Sequence, residues 1–140
     1  MFTTFLAVLV GSALGGMARF WLAAAVARRL GERFPWGTLA VNASGALAIG
    51  VFAAVLLPAA DGTVVAAGSS SPGGLLAWHL AGLGFLGSYT TVSTFALQSL
   101  LLGTEGRWCA AVAYVLVSSL ACLLAVALGF AAGTAFAGGV

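Results

Sequence analysis

The chain alternates between long apolar stretches and short polar segments. Four apolar stretches lie at roughly 2–27, 36–58, 74–102 and 108–136, and each reaches the ~20 residues that a helix needs to cross a lipid bilayer. Segment 59–73 is rich in Gly and Ser and contains Pro72, a composition that predicts a flexible loop. The pattern therefore predicts an all-α integral membrane protein with four transmembrane helices, in a single domain over residues 1–140.

Composition and charge agree with a membrane location and indicate an orientation. Apolar residues make up 62% of the chain and charged residues 6%, whereas about a quarter of the residues in a soluble domain are charged. The positive-inside rule places both termini outside the cytoplasm, because every arginine outside the spans lies in the two connections on one side: Arg28, Arg29, Arg33 and Arg107. The absence of Lys beside abundant Ala, Gly and Arg is typical of a GC-rich bacterial genome, so we expect a multi-pass protein of the bacterial cytoplasmic membrane.

The positions of the acidic residues argue against several classes of protein. Glu32, Asp61 and Glu105 all fall in connections. A small multidrug exporter needs a carboxylate at membrane depth to exchange protons for cations, and is therefore the less favoured transport function. Neither a catalytic triad nor an acid pair nor a nucleotide-binding loop can be assembled from the chain, so an enzyme is not expected. A net charge of +2 is too small to indicate nucleic acid binding.

Small residues are frequent in the apolar stretches. Gly11 and Gly15 form a GxxxG motif in the first span, and Gly45 and Gly50 lie in the second. Small residues let helix backbones approach closely in lipid, either within one bundle or between subunits. We favour a dimer, because four helices alone enclose little space for a solute pathway.

Neutral hydrogen-bond donors recur at helical spacing at membrane depth. A spacing of four residues places side chains on one face of a helix. A single hydroxyl in a helix often bonds to its own backbone, but three aligned sets indicate a polar pathway. The sets are Thr38 and Asn42 on the second span, Thr90, Thr94 and Gln98 on the third, and Tyr114, Ser118 and Cys122 on the fourth.

The chemistry of these donors suits a small anion. A fluoride-sized ion is strongly hydrated, so a pore must replace its water by dense hydrogen-bond donors, while a fixed Lys or Arg in the pore would bind the ion too tightly. The ring edges of Phe carry partial positive charge, so Phe95 is a further candidate, with plain packing as the alternative. Arg19 lies within the first span, where it either snorkels toward the arginine-rich side or attracts an anion.

The stretch GFLGSYTTVSTF, residues 84–95, predicts a break in the third span. Gly84 and Gly87 favour an unwound segment near Gly84–Thr91. Non-helical backbone at membrane depth persists only where protein buries it or where it lines a cavity. The free carbonyl groups of such a segment are suited to a Na⁺ ion.

Three segments of the chain resemble the Fluc (CrcB-like) fluoride channels: GGMARF at 15–20, PWGTLAVNASG at 35–45 and GFLGSYTTVSTF at 84–95. The resemblance covers most of the chain and implies an antiparallel, dual-topology-type dimer of four-helix subunits with two pores. It implies a structural Na⁺ at the dimer interface, held by the backbone carbonyls of Gly87 and Thr90. Arg19 matches the family's first-helix arginine. The implied fluoride route passes Asn42, Phe95, Tyr114 and Ser118, to which the aligned donors add Thr38 and Thr94.

The chain departs from the family pattern at four positions. Val92 stands where the family has the first Phe of a pair, and Ser88 replaces the second Gly of the break. Gln98 stands where many relatives have Glu, and Cys122 where Ser is expected. A pore that needs two Phe edges from this chain is therefore incomplete.

The arginine distribution bears on the partner subunit. An antiparallel homodimer requires one sequence to insert in both orientations, which a strong arginine bias disfavours. We therefore predict a fluoride-selective channel subunit that forms a heterodimer with a homologous antiparallel subunit and exports fluoride passively, which lowers fluoride toxicity. The alternative is a non-conducting structural subunit that supports its partner. The predicted binding partners are fluoride, Na⁺ and membrane lipid.

Overall fold

The helices of the chain follow its apolar stretches. The computed structural model describes residues 2–56 and 72–137, so most of the predicted loop at 59–73 lies outside the described residues. Helix α1 is Phe2–Leu30, α2 is Trp36–Leu56 and α5 is Trp108–Ala137. The third stretch forms two helices: α3, made of the consecutive segments Pro72–Ala77, Trp78–Leu86 and Gly87–Tyr89, and α4, Val92–Thr104.

Within the described residues, four helical units are long and apolar enough to cross a membrane: Phe2–Leu30, Trp36–Val55, Trp78–Thr104 and Trp108–Phe136. Between 17% and 28% of the residues in the most apolar part of each unit are buried inside the chain. Most of the helix surface therefore faces lipid or another subunit. The predicted fold class, all-α with four spans, is confirmed, whereas the dimer arrangement stays a prediction.

Two glycines end helices on the arginine-rich side. Gly31 follows α1 with φ 81° and Gly106 follows α4 with φ 75°, a backbone region that favours glycine and commonly terminates helices. The amide of Gly31 donates to the Ala27 carbonyl at 2.9 Å. Arg107 then joins the two connections, because its Nη2 donates to the Arg33 carbonyl at 2.7 Å.

The third span is broken at two threonines. Thr90 (φ −80°, ψ 159°) and Thr91 (φ −151°, ψ 119°) are extended and separate α3 from α4. The predicted break is therefore confirmed, but its predicted cause is wrong. Gly84 lies inside the π-helical segment Trp78–Leu86, and Gly87 is helical with φ −63° and ψ −34°, so neither glycine unwinds the chain.

The glycines of α1 and α3 serve close backbone packing instead. A Cβ on Gly11 would meet the Leu80 carbonyl oxygen, and a Cβ on Gly15 would meet the Phe85 carbonyl oxygen. A Cβ on Gly84 would lie 2.8 Å from the Val8 carbonyl oxygen. The GxxxG motif thus packs α1 on α3 within one chain, which is the first of the two alternatives for it.

Helices α2 and α5 also pack closely through glycines. A Cβ on Gly50 would meet the Val126 carbonyl oxygen, and a Cβ on Gly129 would meet the Leu47 carbonyl oxygen. Small residues let helices approach until backbone atoms touch, which supplies the dispersion contacts that stabilise helix pairs in lipid. Tyr114, fully buried, lies in the small core that α5 forms with its neighbours.

Candidate functional site

Asn42 holds the extended residues of the break. Its Nδ2 donates to the Thr91 carbonyl at 2.9 Å, and its Oδ1 accepts from the Thr91 amide at 2.8 Å. The Asn42 side chain therefore pairs with the backbone of Thr91 as a neighbouring strand would. This pairing satisfies backbone groups that an interrupted helix would otherwise leave open in the membrane.

Thr91 also caps α4. Its Oγ1 accepts from the Thr94 amide at 3.2 Å and donates to Thr94 Oγ1 at 3.0 Å. A threonine hydroxyl at this position satisfies one of the free amides at a helix N-terminus. Sequence reasoning missed Thr91 as a site residue, although Thr at the start of an apolar helix with a polar residue three positions later is an N-cap signal.

The predicted stripe on the third span is only partly present. Thr94 and Gln98 lie on α4, but Thr90 precedes the break and belongs to another segment. Thr90 turns back to α3, where its amide and its Oγ1 both donate to the Leu86 carbonyl, at 3.1 Å and 3.0 Å. Its grouping with Thr94 and Gln98 is therefore wrong, because the break changes the helical phase.

The polar face of α5 points inward as its spacing predicts. Tyr114 is fully buried, Ser118 is buried and Cys122 is half-buried. The Tyr114 hydroxyl donates to Gln98 Oε1 at 3.0 Å, and its ring lies 5.3 Å from the Phe95 ring, between centroids. The Tyr114 hydroxyl has Thr38 and Ser118 as further neighbours, yet within 2–56 and 72–137 the Ser118 Oγ has no partner in hydrogen-bond geometry.

Three half-open cavities of the described region follow one another along these residues. The mouth cavity, about 450 Å³, lies at the arginine-rich end and is lined by Arg33, Arg107, Thr38 and Gln98 among others. The arginine cavity, about 210 Å³, contains Arg19, Thr38, Thr91 and Thr94. The central cavity, about 460 Å³, contains Asn42, Thr91, Phe95, Ser118 and Cys122.

Neighbouring cavities share lining residues. Thr38 lines both the mouth cavity and the arginine cavity, and Thr91 lines both the arginine cavity and the central cavity. Thr38 is 5% exposed and Arg19 is half-buried. The structure therefore places Arg19 and five of the six predicted pathway residues in the linings of these cavities, and the sixth, Tyr114, in the hydrogen-bond network beside them.

Charges at the mouth cavity are balanced. Its lining holds Arg33 and Arg107 together with Glu32 and Glu105. Arg107 Nη1 lies 3.6 Å from Glu105 Oε2, with both side chains solvent-exposed, so this ion pair contributes little free energy. In the described residues, the lining of the arginine cavity and of the central cavity contains no carboxylate.

The two predicted cation-binding residues lie just before the break, at Gly87, and within it, at Thr90. Gly87 is exposed, and Thr90 is half-buried. A continuous helix would direct the Thr91 amide to the Gly87 carbonyl four residues earlier, but that amide donates to Asn42. The groups left at the break as possible metal ligands are neutral carbonyl oxygens. Hard cations such as Na⁺ bind to oxygen ligands of this kind.

Three of the four departures from the family pattern have a structural consequence. Ser88 Oγ donates to the Ser12 carbonyl at 2.8 Å, so this serine adds a bond between α3 and α1. Val92 is 79% exposed at the edge of the central cavity. Gln98 accepts the Tyr114 hydroxyl. Cys122 lines the central cavity, and nothing in the structure explains its choice over Ser.

A helical protein with four membrane-crossing units, one of them broken beside buried neutral donors, is a multi-pass membrane protein with a polar intramembrane site. The family profile described as "CrcB-like protein, Camphor Resistance (CrcB)" matches residues 6–130. The chain is 56% identical over 130 residues to a "Fluoride-specific ion channel FluC 2" of Rhodopseudomonas palustris, covering 93% of this chain and 92% of that protein. It is 45% identical over 129 residues to a "Fluoride-specific ion channel FluC 2" of Bradyrhizobium diazoefficiens, covering 89% and 85%.

A third relative shows the same relationship at lower identity. A "Fluoride-specific ion channel FluC" of Rhodospirillum rubrum is 42% identical over 126 residues, covering 90% of this chain and 91% of that protein. The chain therefore belongs to the CrcB-like (FluC) family, which confirms the resemblance of its three motifs. Its four apolar helices and these relatives together identify it as a multi-pass membrane protein of bacterial type.

Proposed function

We propose that the chain is a fluoride channel subunit of the bacterial cytoplasmic membrane and that it exports fluoride passively. The observation that carries this proposal is a set of three cavities that share Thr38 and Thr91 in their linings and present neutral hydrogen-bond donors at membrane depth. The names of the relatives, all fluoride-specific ion channels, agree with it. Hydrogen fluoride enters from acid surroundings and dissociates inside, and the membrane potential then drives the anion outward.

Neutral donors explain how an ion as strongly hydrated as fluoride can both enter and leave. A buried, unpaired hydroxyl such as Ser118 Oγ replaces one water molecule without holding the ion by a full charge. Thr38 and Thr94 offer further hydroxyls along the arginine cavity. Arg19, set beside this line, raises the local anion concentration through its positive charge.

The central cavity needs a second subunit to close it. Gly87 and Val92 both line this cavity and are both exposed, so the cavity opens on the surface of the chain. A homologous antiparallel subunit covers this opening and supplies the second wall of the pathway. A heterodimer agrees with the arginine bias, and the numbered names of two relatives are usual where one organism has several such proteins.

A structural Na⁺ fits the break. The Thr91 amide donates to Asn42, so the Gly87 carbonyl lacks the donor that a continuous helix would give it. When bound, Na⁺ supplies a fixed positive charge that neutralises the carbonyl dipoles where two subunits meet. We assign its ligands to the Gly87 and Thr90 carbonyls of this chain.

Fluoride efflux from liposomes tests the proposal. Liposomes that contain the purified chain alone are expected to release fluoride no faster than protein-free liposomes. The reason is that the central cavity opens on the surface of the chain at Val92 and lacks the wall that a second subunit would supply. Co-assembled with a second family member from the same genome, it is expected to release fluoride rapidly and in preference to chloride. Fast efflux from the chain alone would show a conducting homodimer and contradict the heterodimer, whereas silence of both preparations would contradict the channel function.

Replacing Val92 by Phe tests whether this position limits conduction. The new ring would reach into the central cavity near Phe95, where its positive edge can face an anion. We expect V92F to raise fluoride efflux of the co-assembled channel, and V92L, which adds bulk without an aromatic edge, to leave efflux unchanged. Equal efflux from all three proteins would favour the alternative function, a non-conducting structural subunit whose pore residues no longer matter.

A further inference from the structure

We propose that Asn42 is a positioning residue for the cation site, and that it acts by drawing the Thr91 amide away from the Gly87 carbonyl. Asn42 was expected on the fluoride pathway as a donor to the anion. Its hydrogen bonds assign it a different task, which is to keep the break open. The inference rests on the proposed Na⁺ site, and its test separates the two.

The Thr91 amide has a different hydrogen-bond partner from the one that a continuous helix would give it. In a continuous α-helix the amide of residue 91 would bond to the carbonyl of residue 87. The Thr91 amide instead meets Asn42 Oδ1 at 2.8 Å, while the Thr91 carbonyl accepts from Asn42 Nδ2 at 2.9 Å. One side chain thus takes both backbone groups of one residue, which an ionised Asp, having only acceptor oxygens, cannot do.

Thr90, the residue before Thr91, shows where the helical hydrogen bonding ends. Thr90 still bonds as a helix residue, because its amide and its hydroxyl both donate to the Leu86 carbonyl. The helical pattern therefore stops between Thr90 and Thr91, and the first carbonyl deprived of its donor is that of Gly87. Gly87 is exposed and has no side chain to cover this oxygen. The C-terminal end of a helix also carries partial negative charge, which favours a cation there.

The remaining capacity of Asn42 limits its role toward fluoride. An asparagine amide has two N–H donors and one carbonyl oxygen. The oxygen and one N–H are engaged with Thr91, so at most one N–H is available to an ion in the central cavity. Holding the break uses most of what Asn42 can offer.

Hydrogen exchange of the Thr91 amide tests the inference without any need for conduction. The full chain, co-assembled with its partner subunit in detergent micelles, is compared with N42A, which removes both bonds, and with N42D, which keeps the acceptor for the Thr91 amide and, when ionised, loses the donor. The thermal midpoint is measured in sodium chloride and in choline chloride. S99A is the control, because Ser99 Oγ donates to the Phe95 carbonyl of its own helix at 2.8 Å.

In N42A the Thr91 amide is expected to return to the Gly87 carbonyl, so the stabilisation by sodium over choline disappears while exchange of this amide stays within about threefold of wild type. N42D and S99A should keep the sodium effect and leave Thr91 exchange within about threefold of wild type. A folded N42A that keeps the sodium effect, or whose Thr91 amide exchanges about tenfold faster because it has found no new acceptor, would overturn the inference. Should N42A not fold, N42D decides: tenfold faster exchange there overturns it. Fluoride efflux is measured separately. If the protein proves not to conduct fluoride, the hydrogen exchange and the thermal midpoints still test the role of Asn42.

Discussion

Replacing Ser118 by Ala is expected to lower fluoride efflux at least tenfold while leaving the protein as stable as the wild type or more so. Ser118 is 4% exposed, and its Oγ has no hydrogen-bond partner among the described residues. A buried hydroxyl without a partner destabilises a fold by about 1–3 kcal/mol, so removing it does not weaken the helix bundle. On the proposed function the same hydroxyl donates to a dehydrated anion in the central cavity, whose lining includes Ser118, and losing a bond to a charged group costs about 1.5–3 kcal/mol.

The opposite signs of these two effects make the Ser118 experiment decisive. Ser99 is the matched control, because its hydroxyl is already engaged with the Phe95 carbonyl of its own helix and Ser99 lines none of the three cavities. Efflux of the co-assembled channel and thermal unfolding are measured for S118A and S99A. A stable S118A protein with wild-type efflux would remove Ser118 from the pathway, and a destabilised S118A would show that the hydroxyl has a structural partner.

Replacing Gly15 by Ala is expected to destabilise the chain by about 3 kcal/mol, the upper end of the cost of overpacking. The new Cβ would meet the Phe85 carbonyl oxygen and lie 2.9 Å from the Phe85 carbonyl carbon. These are backbone atoms, which cannot swing aside as a side chain can. Since α1 and α3 pack along this contact, their separation would also displace the break and abolish efflux.

Gly16 provides the matched control for Gly15. A Cβ on Gly16 would lie 3.4 Å from Ser88 Oγ, an ordinary contact with a movable side chain. Ala is favoured over Gly within a helix by about 0.5–1 kcal/mol, so G16A is expected to be neutral or slightly stabilising. Denaturant unfolding in mixed micelles compares the two variants. Equal stability of G15A and G16A would contradict the close approach of α1 to α3.

The apolar stretches predict the helices well because burial in lipid depends on local composition alone. Both ends of α1, α2 and α5 and the C-terminal end of α4 fall close to the limits of those stretches, and Gly31 and Gly106 mark two of these ends. The inward face of Tyr114 and Ser118 is likewise predictable from spacing, because α5 is continuous. Spacing fails where a helix is interrupted, and this is why Thr90 was grouped with the wrong segment.

The break shows where local rules reach their limit. GFLGSYTTVSTF correctly indicates an interruption, but glycine chemistry places it at Gly84 and Gly87, whereas the chain leaves the helix at Thr90 and Thr91. The deciding interaction comes from Asn42, 49 residues away from Thr91 in sequence. The glycines meanwhile lie where α1 comes closest, a contact that no local pattern in α3 describes.

The sequence by itself therefore determined the four spans, the presence of a break, the stripes of neutral donors on the continuous helices and the family. Each of these depends on composition, on a fixed helical period or on a motif, all of which are properties of neighbouring residues. The tertiary structure alone decided which residues leave the helix, that Gly11 and Gly15 pack within the chain, that Gln98 accepts the Tyr114 hydroxyl, and that Ser118 is left unpaired. Those outcomes depend on which backbone and side-chain groups from distant segments meet, because at membrane depth a polar group bonds to whatever partner the packing of the helices brings to it.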